Sequence, residues 1–300
     1  VQEIAVGASV SKKSGSHLFL LDNKVADGED ALCGGEIDIL VDSDLERNVP
    51  VFEQIKHSFE SRTKGVLVTV VTAKDDERAE IKRYWVTNVG KSSLPLELIN
   101  DAKSEIEAVL VSSKPDDFRE MKITLAGDKT DSSIFLEPVI PPLRLIIAGA
   151  GHIGKALSKI RQMLDFEVTV IDDRIEFANA DNLRSADHII TGDIGNAIAQ
   201  LEKKDDTYIV IVTRGHKDDA RALRACIASD AAYIGMIGSR NKVAMMQRDF
   251  IANGWTDQKE WSRIYAPIGL DIRSTTVEEI AVSIAAQLIQ VKNIRKSLPA

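Results

Sequence analysis

The chain has 300 residues, 44% of them hydrophobic and 28% charged, and a formal net charge of −8. That composition is globular and sufficient for one large or two ordinary domains. It carries no basic concentration of the kind that makes a nucleic-acid surface, no apolar run long enough to span a membrane, and no visible secretory signal. Two cysteines, Cys33 and Cys226, are too few for a disulfide framework, so a reducing, cytoplasmic location is expected. The sequence begins at Val1 rather than Met, and a first domain that is truncated here is expected.

Residues 1–22 alternate weakly, with short apolar runs such as His17–Leu21, and read as strands with polar turns. Asp27–Asp30 is a polar loop. Ala31-Leu32-Cys33-Gly34-Gly35-Glu36 then enters the alternating run Ile37–Val41. A cysteine before two glycines has little side-chain cover beside it. One reading is a small residue buried at a tight turn, as free cysteines often are. The other is a thiol offered to a soft ligand or a metal. Val51–Ser61 has the spacing of an amphipathic helix, and Gly65–Thr72 that of a central strand. Asp75–Glu80 reads as a charged turn, Tyr84–Val89 as a strand, and Leu96–Val111 as a helix with Leu98, Ala102, Ile106 and Val109 on one face. Ile134–Leu136 is a short strand. Glu137–Pro142 (EPVIPP) concentrates proline and reads as a semi-rigid linker between an N-terminal α/β domain, 1–140, and a second domain, 143–292.

The second domain opens with an apolar run, Leu143–Ala148, that ends in Gly149, Gly151 and Gly154 at G-x-G-x-x-G spacing. Ile153, Ala156, Leu157, Ile160 and Leu164 follow at helical spacing, then a β-rich run, Glu167–Ile171, ends in Asp172 and Asp173. Strand, glycine turn, helix, strand and acid stand in the order of a dinucleotide-binding unit. Free N–H groups and the positive end of the helix dipole would face an anion at the turn. An acid at the end of the second strand would take a ribose hydroxyl. The alternative is a glycine turn that serves packing alone. Further on, His188–Ile190, Tyr208–Val212 and Tyr233–Ile237 read as strands. Asn196–Leu201, Asp218–Ser229 and Lys242–Asn253 read as helices, with Cys226 on a core face. Thr275 or Thr276, with Glu278 or Glu279, caps a last helix that buries Ile280, Ile284, Leu288 and Val291. This alternation predicts a Rossmann-like parallel sheet covered on both faces.

Ligands of such sheets sit outside the carboxyl ends of the strands. The candidate residues there are Gly149, Gly151, His152 and Gly154 after the first strand, and Asp172, Asp173 and Arg174 after the second. Thr213, Arg214 and His216 follow the fourth, and Gly238, Ser239, Arg240 and Lys242 the fifth. The loop Ala266–Ile272 adds Asp271. Each cluster has a plain structural alternative: Asp218 and Asp219 as helix caps, Arg240 and Lys242 as a solvated face, His152 as packing between strands.

The segments AGAGHIG, VIDDR, TRGHKDD, YIGMIGSRNK, PIGLDI and EEIAVSIAAQLI, with LCGGEIDILVD and FLEPVIPP in the first domain, make a chain that resembles the XdhC/CoxI group. These are the accessory factors that mature xanthine dehydrogenase and related molybdenum hydroxylases. The resemblance covers residues 143–292 and is patchier before them. It departs in two places: no clear Gly-Ser-Ser-Pro-like segment lies near the N-terminus, and Arg273 stands where the family usually has glycine after PIGLDI. The resemblance implies a chaperone that binds the molybdenum cofactor (molybdopterin) as cargo, protects it while its terminal sulfur is installed, and delivers it to the apo-hydroxylase, without turnover of its own. A cysteine desulfurase would supply the sulfur, and a homodimer is an open expectation. Under this reading the turn Gly149–Gly154 takes the phosphate or nucleotide end with help from Arg240 or Lys242. Cys33 approaches the molybdenum or its dithiolene, across the domain boundary from the turn. The competing readings are an NAD(P)-dependent oxidoreductase with His216 or His152 as acid–base residue, and a regulatory protein that senses a nucleotide.

Overall fold

A computed structural model describes residues 2–11, 13–21, 35–74, 78–112, 114, 116–124, 131–160 and 164–297. The chain divides into two units between Pro141 and Pro142. Cys33 lies outside the described residues, as do Asp75, Asp76 and Glu77.

In the N-terminal unit, α1 (Gln2–Ser11) is followed by β1 (Gly15–Leu21) and β2 (Gly35–Val41), which pair antiparallel. Then come α2 (Leu45–Glu60), β3 (Gly65–Ala73), β4 (Ala79–Val86), α3 (Leu96–Val111), β5 (Arg119–Thr124) and β6 (Asp131–Val139). The last four strands form an antiparallel sheet in the order β4-β3-β6-β5. Leu98, Ala102, Ile106 and Val109 of α3 pack on Val66, Val68, Ile134 and Leu136 of the central strands, as the helical period of that segment predicts.

Three expectations are corrected by the fold. Gln2–Ser11 is helical, not a strand: its alternation is weak, and Gln2, Glu3, Ala5 and Ala8 favour helix. Glu80 is not in a turn but pairs with Thr72 inside the β3–β4 ladder. Glu137–Val139 is not linker. It continues β6, with Val139 opposite Gly65. Because β5 starts opposite Leu136, β6 beyond that point is paired on one side only, which is where a strand tolerates Pro138.

The C-terminal unit contains β7 (Leu143–Ala148), α4 (His152–Ile160), β8 (Phe166–Asp172), β9 (His188–Thr191), α5 (Ile194–Gln200), β10 (Thr207–Ile211), α6 (His216–Arg224), β11 (Tyr233–Met236), α7 (Arg240–Ala252), α8 (Gln258–Trp261), β12 (Ile264–Tyr265) and α9 (Val277–Ser297). All six strands are parallel, in the order β12-β11-β10-β7-β8-β9. Alternate residues of β7 serve opposite faces. Ile146 and Ala148 join Ile198, Leu223 and Phe250 under α5, α6 and α7. Leu145 and Ile147 join Leu157, Ile284 and Leu288 under α4 and α9. Two buried faces explain why these strands are continuous apolar runs rather than alternating ones. The start of α9 is a capping box. Thr276 Oγ1 accepts the Glu279 N–H at 3.2 Å, and Glu279 Oε2 accepts the Thr276 N–H at 3.0 Å. Cys226 is buried in the α6 face of the sheet, and burial pushes its thiol up to about 12, which keeps it protonated and inert.

Candidate functional site

The sheet runs outward from β7 in both directions, to β8 and β9 on one side and to β10, β11 and β12 on the other. The carboxyl ends of β7 and β10 therefore bracket a switch point, the place where open α/β sheets hold ligands.

The three glycines of the turn after β7 have different reasons to be glycine. Gly149 has φ +114°, and a Cβ there would lie 2.5 Å from the Val212 carbonyl oxygen. A Cβ on Gly154 would lie 1.9 Å from the carbonyl oxygen of Gly149. Both are demanded by the protein's own packing. A Cβ on Gly151 would meet nothing within 4 Å. The space that its missing side chain leaves open lies at the start of α4, beside exposed His152.

Two buried carboxylates build the rim around this space. Asp172, whose side chain is 2% exposed, ends β8. Its Oδ2 accepts the Ala150 N–H at 2.7 Å and Arg174 Nη2 at 2.8 Å, and its Oδ1 accepts Arg174 Nε at 2.8 Å and the Arg174 N–H at 3.0 Å. Burial by itself would raise the carboxyl. The Arg174 guanidinium and the two backbone N–H groups outweigh it and hold Asp172 below the usual carboxylate range. Arg174 also lies over the Phe177 ring, 3.9 Å from its centroid. The accessible acid at this edge is Asp173, 42% exposed, which meets Arg214 Nη2 at 3.3 Å. This pair links the two strands that flank β7.

Asp219, in the first turn of α6, is the second buried carboxylate. Its Oδ1 accepts from Thr213 Oγ1 at 2.5 Å, and its Oδ2 accepts from the Lys242 ammonium. Lys242 comes from α7, where Ser239 caps the helix by accepting the Lys242 N–H at 3.3 Å. One carboxylate thus ties the turn after β10 to the turn after β11, and the Gly238 turn lies against the Lys242 stem. Arg240, Arg214 and His216 are exposed.

The loop Ala266–Ile272 is anchored from beneath. Gly269 has φ +94°, and its N–H donates to Gln287 Oε1 at 2.9 Å. The same oxygen accepts Tyr233 Oη–H at 2.6 Å, while Gln287 Nε2 donates to the Gly269 carbonyl at 3.3 Å. Asp271 is exposed, and Arg273 has φ +60°. Gln287 and the bracing part played by Asp219 are absent from the sequence reading. A polar residue in the apolar stripe of α9 is a signal for the first; the second needs a partner 23 residues away. Among the described residues, no group of three or more His, Cys, Asp or Glu side chains is placed to hold a metal ion, and no helix is long and apolar enough to cross a membrane.

A parallel sheet in this strand order, with a glycine turn at its switch point, defines a Rossmann-type domain. Residues 145–288 match the family model described as the XdhC Rossmann domain. The chain is 26% identical over 161 residues to a probable xanthine dehydrogenase subunit of Bacillus subtilis (strain 168), covering 54% of this chain and 46% of that protein. It is 30% identical over 151 residues to the uncharacterized protein YqeB of Escherichia coli (strain K12), covering 50% of this chain and 27% of that one. The matches thus span less than half the length of both relatives. A crystal structure described as a xanthine dehydrogenase from Bacillus halodurans shares the fold, with a TM-score of 0.68 at 20% identity over 99% of this chain and 81% of that one.

Proposed function

We propose that this chain is a maturation factor for a xanthine dehydrogenase-like molybdenum hydroxylase, and that it carries the molybdenum cofactor by its phosphate- or nucleotide-bearing end. The match of residues 145–288 to the XdhC Rossmann domain and the name of the Bacillus subtilis relative support the role in maturation. The observation that carries the binding reading is Gly151. It is the one glycine of the turn G-x-G-x-x-G that the protein's own packing does not require, and it stands at a helix start where a phosphate can approach the backbone.

In this reading the N–H groups at the start of α4 receive the anion. Lys242, held by Asp219, and the exposed Arg214 and Arg240 neutralise it. Asp172 does not touch the cargo; it fixes Ala150 and Arg174. Cys33 offers its thiolate to the molybdenum or its dithiolene, and a separate cysteine desulfurase supplies the terminal sulfur. His152 and His216 flank the anion without an assigned proton transfer.

The test is incubation of the chain with isolated molybdenum cofactor, NAD(H) and NADP(H) in turn, followed by gel filtration and absorbance of what co-elutes. Retention of the pterin chromophore, lost in Gly151→Val, supports the carrier. Retention of a nicotinamide nucleotide instead, with steady turnover lost in His216→Ala, overturns it in favour of an oxidoreductase.

A further inference from the structure

The N-terminal unit holds a pocket of about 440 Å³ whose charged lining is four cations, Lys13, Arg47, Lys74 and Arg78, and three carboxylates, Asp42, Asp44 and Glu80. From its geometry we infer a second anion site, for a small ligand bearing a phosphoryl group, distinct from the glycine turn.

The inference rests on how the charges are spent. Asp42 is committed elsewhere: its side chain is 7% exposed, and it accepts from Arg83, from Asn48 Nδ2 at 2.9 Å, from Ser14 Oγ at 3.2 Å and from the Asp44 N–H at 3.0 Å. Glu80 is in the opposite position. Three cations converge on its one carboxylate: Arg47 Nη1 at 3.2 Å, Lys74 Nζ at 3.1 Å and Lys82 Nζ at 3.1 Å. An ammonium has three donors and a guanidinium five, so among the described residues the bonds to Glu80 use only part of this donor capacity. Arg47 and Lys74, about half exposed, present it to the pocket.

Arg47 also stands in the first turns of α2, whose N-cap residue Asp44 makes no side-chain capping bond. Asp44 also lines the pocket, so its exposed carboxylate offsets the positive end of the α2 dipole, and the inference rests on Arg47 and Lys74. Ser14 and Ala79 also line the pocket, and the Ala79 N–H donates to the Ser14 carbonyl at 2.8 Å. A tetrahedral dianion can accept from Arg47 and Lys74 together, which a planar carboxylate already bonded to Lys82 does incompletely. Glu80 then acts as the resident counter-ion that holds the cations in place when no ligand is bound.

The experiment is a thermal melt of the full chain in phosphate or pyrophosphate against chloride at equal ionic strength, run in a Gly151→Val background so that the glycine turn does not contribute. The expected result is a concentration-dependent rise in the midpoint with phosphate or pyrophosphate. Lys74→Ala should weaken the apparent affinity about tenfold. Glu80→Gln, which removes the competing carboxylate, should tighten it while lowering the midpoint in chloride. Two results overturn the inference. One is equal melting in phosphate and chloride at every concentration. The other is a phosphate effect indifferent to both substitutions.

Discussion

Asp172 Oδ2 accepts the backbone N–H of Ala150 at 2.7 Å, joining the end of β8 to the turn that follows β7. In a dinucleotide-binding unit the acid at this position takes a ribose hydroxyl. Here both oxygens are occupied by Ala150 and Arg174, and the side chain is buried, so the acid shapes the cradle from below. Asp172→Asn should destabilise the C-terminal unit by about 3 kcal/mol, because a guanidinium then sits beside a neutral amide. The pH dependence has a definite sign. The folded-state pKa lies below the unfolded one, so the pair's contribution is present above about pH 4 and is lost as pH falls through the folded value. Urea melts of both proteins from neutral pH downward should converge in acid.

Gly151 and Gly154 should separate fold from binding. Gly154→Ala drives a methyl against the Gly149 carbonyl and should cost about 3 kcal/mol or prevent folding. Gly151→Val should change stability by less than about 0.5 kcal/mol, since nothing lies within 4 Å of the position its Cβ takes, while cofactor retention is lost. Denaturant melts and the gel-filtration assay, run on the same preparations, check the pair. A Gly151→Val protein that retains the pterin would leave the turn a packing device.

The Asp219–Lys242 bond should appear as a strong coupling. Asp219→Asn and Lys242→Met each remove one partner of a bond whose acid is fully buried. The double variant should lose less than the sum of the single losses, by about 1–3 kcal/mol. Additive losses in chemical denaturation would mean that the two groups act independently.

Arg273→Gly should stabilise the protein. The residue has φ +60°, a conformation that side chains with a Cβ adopt at a cost of about 1–2 kcal/mol. Part of the gain is offset by the greater freedom of glycine in the unfolded chain, so a net gain of about 1 kcal/mol is expected. A lower thermal midpoint would instead assign Arg273 a contact worth more than its backbone strain.

Much of the C-terminal unit is legible in its sequence because each signal there is local. The glycine spacing reports the close approach of Gly154 to the Gly149 carbonyl inside one turn, and the apolar runs report strands buried on both faces. The helix 96–111 is equally local, its core face spaced by the helical repeat. What escapes is either too short or too distant. Ile264–Tyr265 is a strand of two residues, below any length at which alternation can register. Pro138 suggests a linker until the shorter neighbour β5 shows that one side of β6 is unpaired there. Asp219 looks like a helix cap, and nothing near it announces that Lys242 will close over its other oxygen. At the site, the residue types at the strand ends are visible in the chain, but their division into braces and exposed groups is a product of burial.

Gln287 gives the rim loop a mechanical linkage. Its side-chain oxygen is shared between the Gly269 N–H and the Tyr233 hydroxyl, so α9, the loop and β11 meet at one amide. Displacement of the loop at Gly269 must stretch bonds to the last helix and load the strand beneath it. A load applied at the mouth therefore reaches the floor of the sheet through a side chain 18 residues along the chain from the point of contact.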